Sequence, residues 1–193
     1  NPSLVGSEMC IRDRMKTENL ERYLNSFANQ VVSDSKAMLQ RAKGSTSLGN
    51  TIKTKVTTDP NGYSVKFYMA DYGTFLDKGV SGNKTKRSFT NYKGQNESSP
   101  YSYTTKGPPI DILSKWIKKK GIKPKGLGRG RDKKTGQFLS GFAYLISKKI
   151  KREGIKSLSF FSKPLGINYK DLQDNLLKEF KEDVSTYITT FTK

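Results

Sequence analysis

With 193 residues, 36 Lys and Arg against 17 Asp and Glu, and a net charge of +19, the chain is long enough for one modest core and favours anionic partners over close self-association at low salt. It has no histidine, which removes Ser-His-Asp triads, Cys-His dyads, histidine-dependent nucleases and most zinc enzymes. Its one cysteine, Cys10, cannot form an internal disulfide, and no run approaches the roughly 20 apolar residues that a membrane helix needs. A soluble, intracellular protein is therefore expected, with enzyme readings sharply reduced, no cofactor, no metal site at Cys10 and no membrane partner.

The chain opens with Asn1 to Arg14, which contains SLVGSEMCIRDR and resembles a translated sequencing-adapter fragment; a disordered tail is the plainer reading. Under either, the fold is expected to begin at Met15, with residues 15–193 as one α+β domain. From Thr17 to Lys43, the residues Leu20, Tyr23, Leu24, Phe27, Val31, Met38 and Leu39 recur at steps of three and four, which predicts a long helix stopped by Gly44. Alternation over Thr51 to Thr57 and β-forming residues over Tyr63 to Met69, joined by Asp59-Pro60-Asn61-Gly62, predict a hairpin. Tyr72 to Val80 reads as a short turn or helix leading through Gly79 into another strand.

Between Ser81 and Gly107 the composition falls to Lys, Asn, Ser, Thr, Gly and scattered Tyr, which predicts a long loop with too little apolar surface to order itself. Pro108-Pro109 then introduces a short helix through Lys120 with Ile110, Leu113, Trp116 and Ile117 on one face. A second glycine- and lysine-rich loop follows over residues 123–136. Phe138, Phe142, Ala143, Leu145, Ile146 and Ile150 mark another amphipathic helix closed by Gly154, Phe160-Phe161 precede a turn at Pro164, and Tyr169 to Phe191 form the last helix. The fold class expected is thus α+β: a small antiparallel sheet with a long N-terminal helix, packed helices and long basic loops. Phe27, Trp116, Phe142, Ile146, Phe160 and Phe161 are the expected core anchors.

Candidate chemistry is sparse. Asp71, Asp77 and Lys78, with Asp111 and Lys115, are the carboxylate and lysine groups whose spacing could suit a magnesium-dependent nuclease. The plainer readings are a turn residue at Asp77 and compensation of a helix N-terminus by Asp111. Gly126-Leu127-Gly128-Arg129-Gly130-Arg131 has the glycines of a phosphate-cradling loop without the following Lys-Ser/Thr, and reads as a connector. The loops carry more information: Lys84, Lys86, Arg87, Lys93, Lys106, Lys123, Lys125, Arg129, Arg131, Lys133 and Lys134 are the expected contacts to DNA or to a neighbouring subunit, with Tyr92, Tyr101 and Tyr103 interleaved. Leu172, Leu176, Phe180 and Val184 form a stripe that suits either core or an intersubunit contact.

Four segments carry a family resemblance: Ala70 to Gly82 (ADYGTFLDKGVSG), Ser99 to Tyr103 with Pro108-Pro109, Ile110 to Ile122 (IDILSKWIKKKGI), and Phe142 to Pro164 (FAYLISKKIKREGIKSLSFFSKP). In their order and spacing they resemble the tail-completion or neck proteins of tailed phages, also called the head-tail joining or minor tail family. The loops 81–107 and 123–136 are longer and more basic than in the family's compact members. The resemblance implies a virion protein assembled in the host cytoplasm, without catalysis. Its expected partners are copies of itself in a ring, the tail tube and the head connector. A basic DNA-binding accessory protein is the alternative.

Overall fold

The computed structural model describes residues 16–44, 47–59, 62–122, 130–131, 138–139 and 141–191. The chain is α+β, with a long N-terminal helix, seven helices among the described residues and antiparallel strands paired two by two. It divides into two compact units, residues 1–69 with 164–193, and residues 70–163.

The first unit is built on α1 (Glu18–Lys43). Leu24, Phe27, Ala28, Val31, Val32, Ser35 and Leu39 are its buried positions, spaced to fall on one side of a 3.6-residue turn. Glu18 and Glu21 at its start and Arg41 and Lys43 at its end oppose the helix dipole. Gly44 ends it in the left-handed region at φ 72°, its N–H bonding the Gln40 carbonyl at 2.7 Å. After α2 (Ser47–Thr51), β1 (Lys53–Asp59) and β2 (Gly62–Tyr68) pair in register from Lys53↔Tyr68 to Asp59↔Gly62. The expected turn residues Pro60 and Asn61 lie outside the described residues, and Thr51, expected in the first strand, closes α2 instead. Helix α1 packs on β1 and on the last helix, α7 (Leu172–Phe191).

A buried carboxylate ties α7 to the start of α1. Asp183, 3 % exposed, accepts bonds from the Asn19 and Leu20 amides at 3.1 and 3.0 Å and from Asn19 Nδ2 at 2.9 Å. Those amides belong to the first turn, where no intrahelical acceptor exists. Asp183→Ala is expected to lower stability by about 2 kcal/mol in urea unfolding, since a charged cap is lost and amides are left without a protein partner. A loss below about 0.5 kcal/mol would contradict this account.

The second unit begins with α3 (Tyr72–Lys78) and β3 (Val80–Ser81), as the pattern around Gly79 indicates. Residues 81–107, expected as an unordered loop, carry the hairpin β4 (Ser88–Thr90) and β5 (Asn96–Ser98) and a parallel bridge from Ser81 to Ser102. Short polar side chains supply what apolar burial does not. Asn91 Oδ1 accepts the Lys93 and Gln95 amides at 2.9 Å, Ser81 Oγ accepts the Arg87 amide at 3.0 Å, and Phe89, 6 % exposed, anchors the hairpin.

Helix α4 (Ile110–Lys119) packs on α5 (Gly141–Glu153), with Ile117 buried. Trp116, expected as a core anchor, is 45 % exposed. One residue advances about 100° around a helix, so with Ile117 at the contact Trp116 is turned toward solvent. Phe160 is fully buried and Phe27 nearly so, while Phe142, Ile146 and Phe161 are half-buried.

Most of the second expected loop lies outside the described residues; within it β6 (Gly130–Arg131) pairs with β7 (Phe138–Leu139). Phe138 is therefore in a strand, and the helix it was expected to open starts at Gly141. After β8 (Gly154–Ile155), which pairs with β3, Pro164 lies in the first turn of α6 (Ser162–Tyr169), where proline is tolerated. The phenylalanine-proline turn that the resemblance implies there is helical.

Candidate functional site

Several cations of the second unit lie at or beside the C-terminal end of α5. A helix ends with carbonyls that have no intrahelical donor. Here the Asn83 and Lys84 amides bond the carbonyls of Lys151 and Arg152 at 3.0 Å, and Arg87 Nε bonds the Glu153 carbonyl at 2.8 Å. This end of the helix is thus closed by the segment that precedes β4.

Such closeness needs glycine. A Cβ on Gly82 would lie 2.3 Å from the Arg152 carbonyl oxygen, and one on Gly154, at φ 73°, would lie 2.0 Å from the Val80 carbonyl oxygen. On the other side of α5, Ser147 Oγ bonds the Pro108 carbonyl at 2.7 Å and Lys151 Nζ the Thr105 carbonyl at 2.6 Å.

Lys84 and Arg87 reach this helix end through their bonds to the Arg152 and Glu153 carbonyls, Lys149 and Arg152 are close enough to act on Glu153, Lys148 lies one turn before Arg152, and Lys86 and Lys106 are chain neighbours of the segments that pack on α5. Lys84, Lys86, Lys106, Lys148, Lys149 and Arg152 are exposed, and Arg87 is half-buried by its helix-capping bond. The acid among them is Glu153, paired with Arg152 at 2.7 Å. Its hydrogen bond to Arg152, helped by the charges of Lys149, Arg152 and Arg87 and opposed by slight burial, holds its carboxyl below the usual carboxylate range. Burial raises the Tyr103 phenol above its ordinary value, and the Tyr103 amide bonds the Ser81 carbonyl at 2.8 Å. Comparison with protein-family models, with curated proteins and with solved structures finds no match.

Of the residues expected from sequence, Lys84 and Arg87 come together here, Lys86 and Lys106 are exposed on the segments beside them, and Lys93 lies in the β4–β5 turn with its ammonium 5.7 Å from the Tyr92 ring centre. Arg87 serves the helix end. Lys123, Lys125, Arg129, Lys133 and Lys134 lie outside the described residues; Arg131 is in β6, with its side chain not described. Sequence reasoning missed Lys148, Lys149 and Arg152, although their spacing puts them on one side of a helix.

The carboxylates proposed for metal chemistry are placed otherwise. Asp77, 3 % exposed, accepts the Phe161 and Ser162 amides at 2.8 and 3.2 Å and the Ser162 hydroxyl, and so caps α6. Asp111 is exposed in the first turn of α4. Among the described residues no three His, Cys, Asp or Glu side chains gather as a metal site, and no helix is long and apolar enough to cross a membrane. Of the nucleotide-loop candidate, only Gly130 and Arg131 are described.

Proposed function

We propose that the protein is a structural, non-enzymatic component of a tailed-phage particle that completes the tail or joins tail to head, forming a ring at the head-proximal end of the tail. One observation supports the reading: the four segments that resemble the tail-completion family lie, up to Lys163, in the second unit and contact one another there. The Ser81 amide donates to the Tyr101 carbonyl and the Tyr103 amide to the Ser81 carbonyl, both at 2.8 Å, which joins the first segment to the second. Val80 pairs with Ile155, joining the first to the fourth, and α4 packs on α5, joining the third to the fourth.

The second support is exposed apolar surface. Ile112 and Trp116, one helical turn apart on α4, are 58 % and 45 % exposed, as are Leu177 and Phe180 on α7 at 53 % and 42 %. Large apolar side chains that a monomer leaves in water suit a subunit completed by neighbours. At +19, copies repel one another at low salt, so assembly is expected to depend on an acidic surface such as the end of the tail tube. Light scattering of the purified protein should show little association alone and a tube-dependent rise when tail tubes are added. No rise with tubes, with strong scattering on naked DNA, would favour the DNA-binding accessory protein instead.

A further inference from the structure

We infer that the exposed cations at the C-terminal end of α5, namely Lys84, Lys86, Lys148, Lys149 and Arg152, hold the phosphate backbone of double-stranded DNA without reading its sequence. The inference stands on this surface alone and not on where the protein sits in a particle, so the two can fail separately.

The chain's charge is uneven. Residues 70–163 carry 22 Lys and Arg against 6 acids, whereas the rest of the chain carries 14 against 11. Among the described residues only two ion pairs form, Lys16–Glu18 and Arg152–Glu153, so a single carboxylate offsets the cluster. The partial negative charge of the helix end is already met by the Asn83 and Lys84 amides and by Arg87. What remains outward is uncompensated positive charge on a hydrogen-bonded platform, so little backbone freedom is lost when an anion binds.

Spacing suits a phosphate backbone. Lys148 and Arg152 are one helical turn apart, about 6 Å along the axis, so two neighbouring phosphates can be met together. Base stacking, which single strands require, finds a poor platform. Tyr144, exposed on α5, already has the Lys148 ammonium 5.0 Å from its ring centre.

The test is fluorescence anisotropy of the full chain with a mixed-sequence duplex of about 30 base pairs, the matching single strand, and polyglutamate as competitor, over about 50 to 200 mM salt. Each phosphate neutralised adds about 0.9 to the slope of log K against log salt, so a slope of about −4 or steeper is expected. K84Q/K86Q/K148Q/K149Q should lower affinity more than about tenfold near 100 mM salt and flatten the slope by about 3 to 4. K53Q/K55Q/K66Q, which removes exposed lysines of the β1–β2 hairpin, is expected to leave both unchanged. Equal losses in the quadruple and the triple variant would overturn the inference, as would tighter binding of the single strand. Displacement of the duplex by polyglutamate at equal charge would also overturn it and assign the surface to an acidic protein.

Discussion

Alanine at Gly154 is expected to be the most damaging single substitution in residues 70–163. Its Cβ would lie 2.0 Å from the Val80 carbonyl oxygen and 2.6 Å from the Gly82 nitrogen, both main-chain atoms that no side-chain rotation can move away. The residue is also held at φ 73°, which costs a non-glycine residue about 1 kcal/mol or more. Relief requires β3 and β8 to part, and with them the pairing that closes the end of α5. A loss of about 4 kcal/mol or more is expected in urea unfolding, a large share of the stability of a chain this size. Gly94 separates the two contributions: at φ 78°, a Cβ added there would meet no atom within 4 Å, so Gly94→Ala should cost about 1 kcal/mol. Comparable losses at Gly154 and Gly94 would show that β3 and β8 are not in the tight contact described.

Asp77→Ala is expected to come next, at about 3 kcal/mol. The carboxylate is buried, accepts two amides at the start of α6 and the Ser162 hydroxyl, and leaves all three donors buried or half-buried when it is removed. For a chain of this length the melting temperature should fall by roughly 6 to 12 °C. Asp77→Asn keeps an acceptor for the amides and should lose only about 1 kcal/mol. If Asp77 served a reaction and not the fold, both variants would melt with the unaltered protein.

These two residues mark the boundary of what local sequence encodes. The long first helix, its stop at Gly44 and the β1–β2 hairpin follow from local patterns, a 3.6-residue period, a glycine with positive φ and alternation, and each is present. The roles of Asp77 and Asp183 are set by helix starts more than 80 and more than 160 residues away, and no local spacing encodes a partner at that distance. Asp77 before Gly79 therefore reads as a turn or as candidate chemistry. The segment 81–107 reads wrongly as an unordered loop for a related reason: its order comes from Ser and Asn side chains bonding main chain, with one buried Phe89, and composition weighs only apolar content.

The candidate surface is half legible in the sequence. Lys84, Lys86, Arg87 and Lys106 stand out as charges in polar sequence. Lys148, Lys149 and Arg152 do not, because the apolar side of α5 dominates its pattern, and Arg87 has a structural duty that depends on Glu153, 66 residues later. A basic loop becomes a surface only when the fold brings a second element to it.

The central claim, a structural role at the head-proximal end of a phage tail, is tested most directly by locating the protein. Gold-labelled antibody against the chain, imaged by negative stain on purified particles and on separated tails, is expected to mark one end of each tail, the end that meets the head, and to leave the tube wall bare. Unlabelled tails, with the protein recovered instead along unpackaged DNA, would contradict the account.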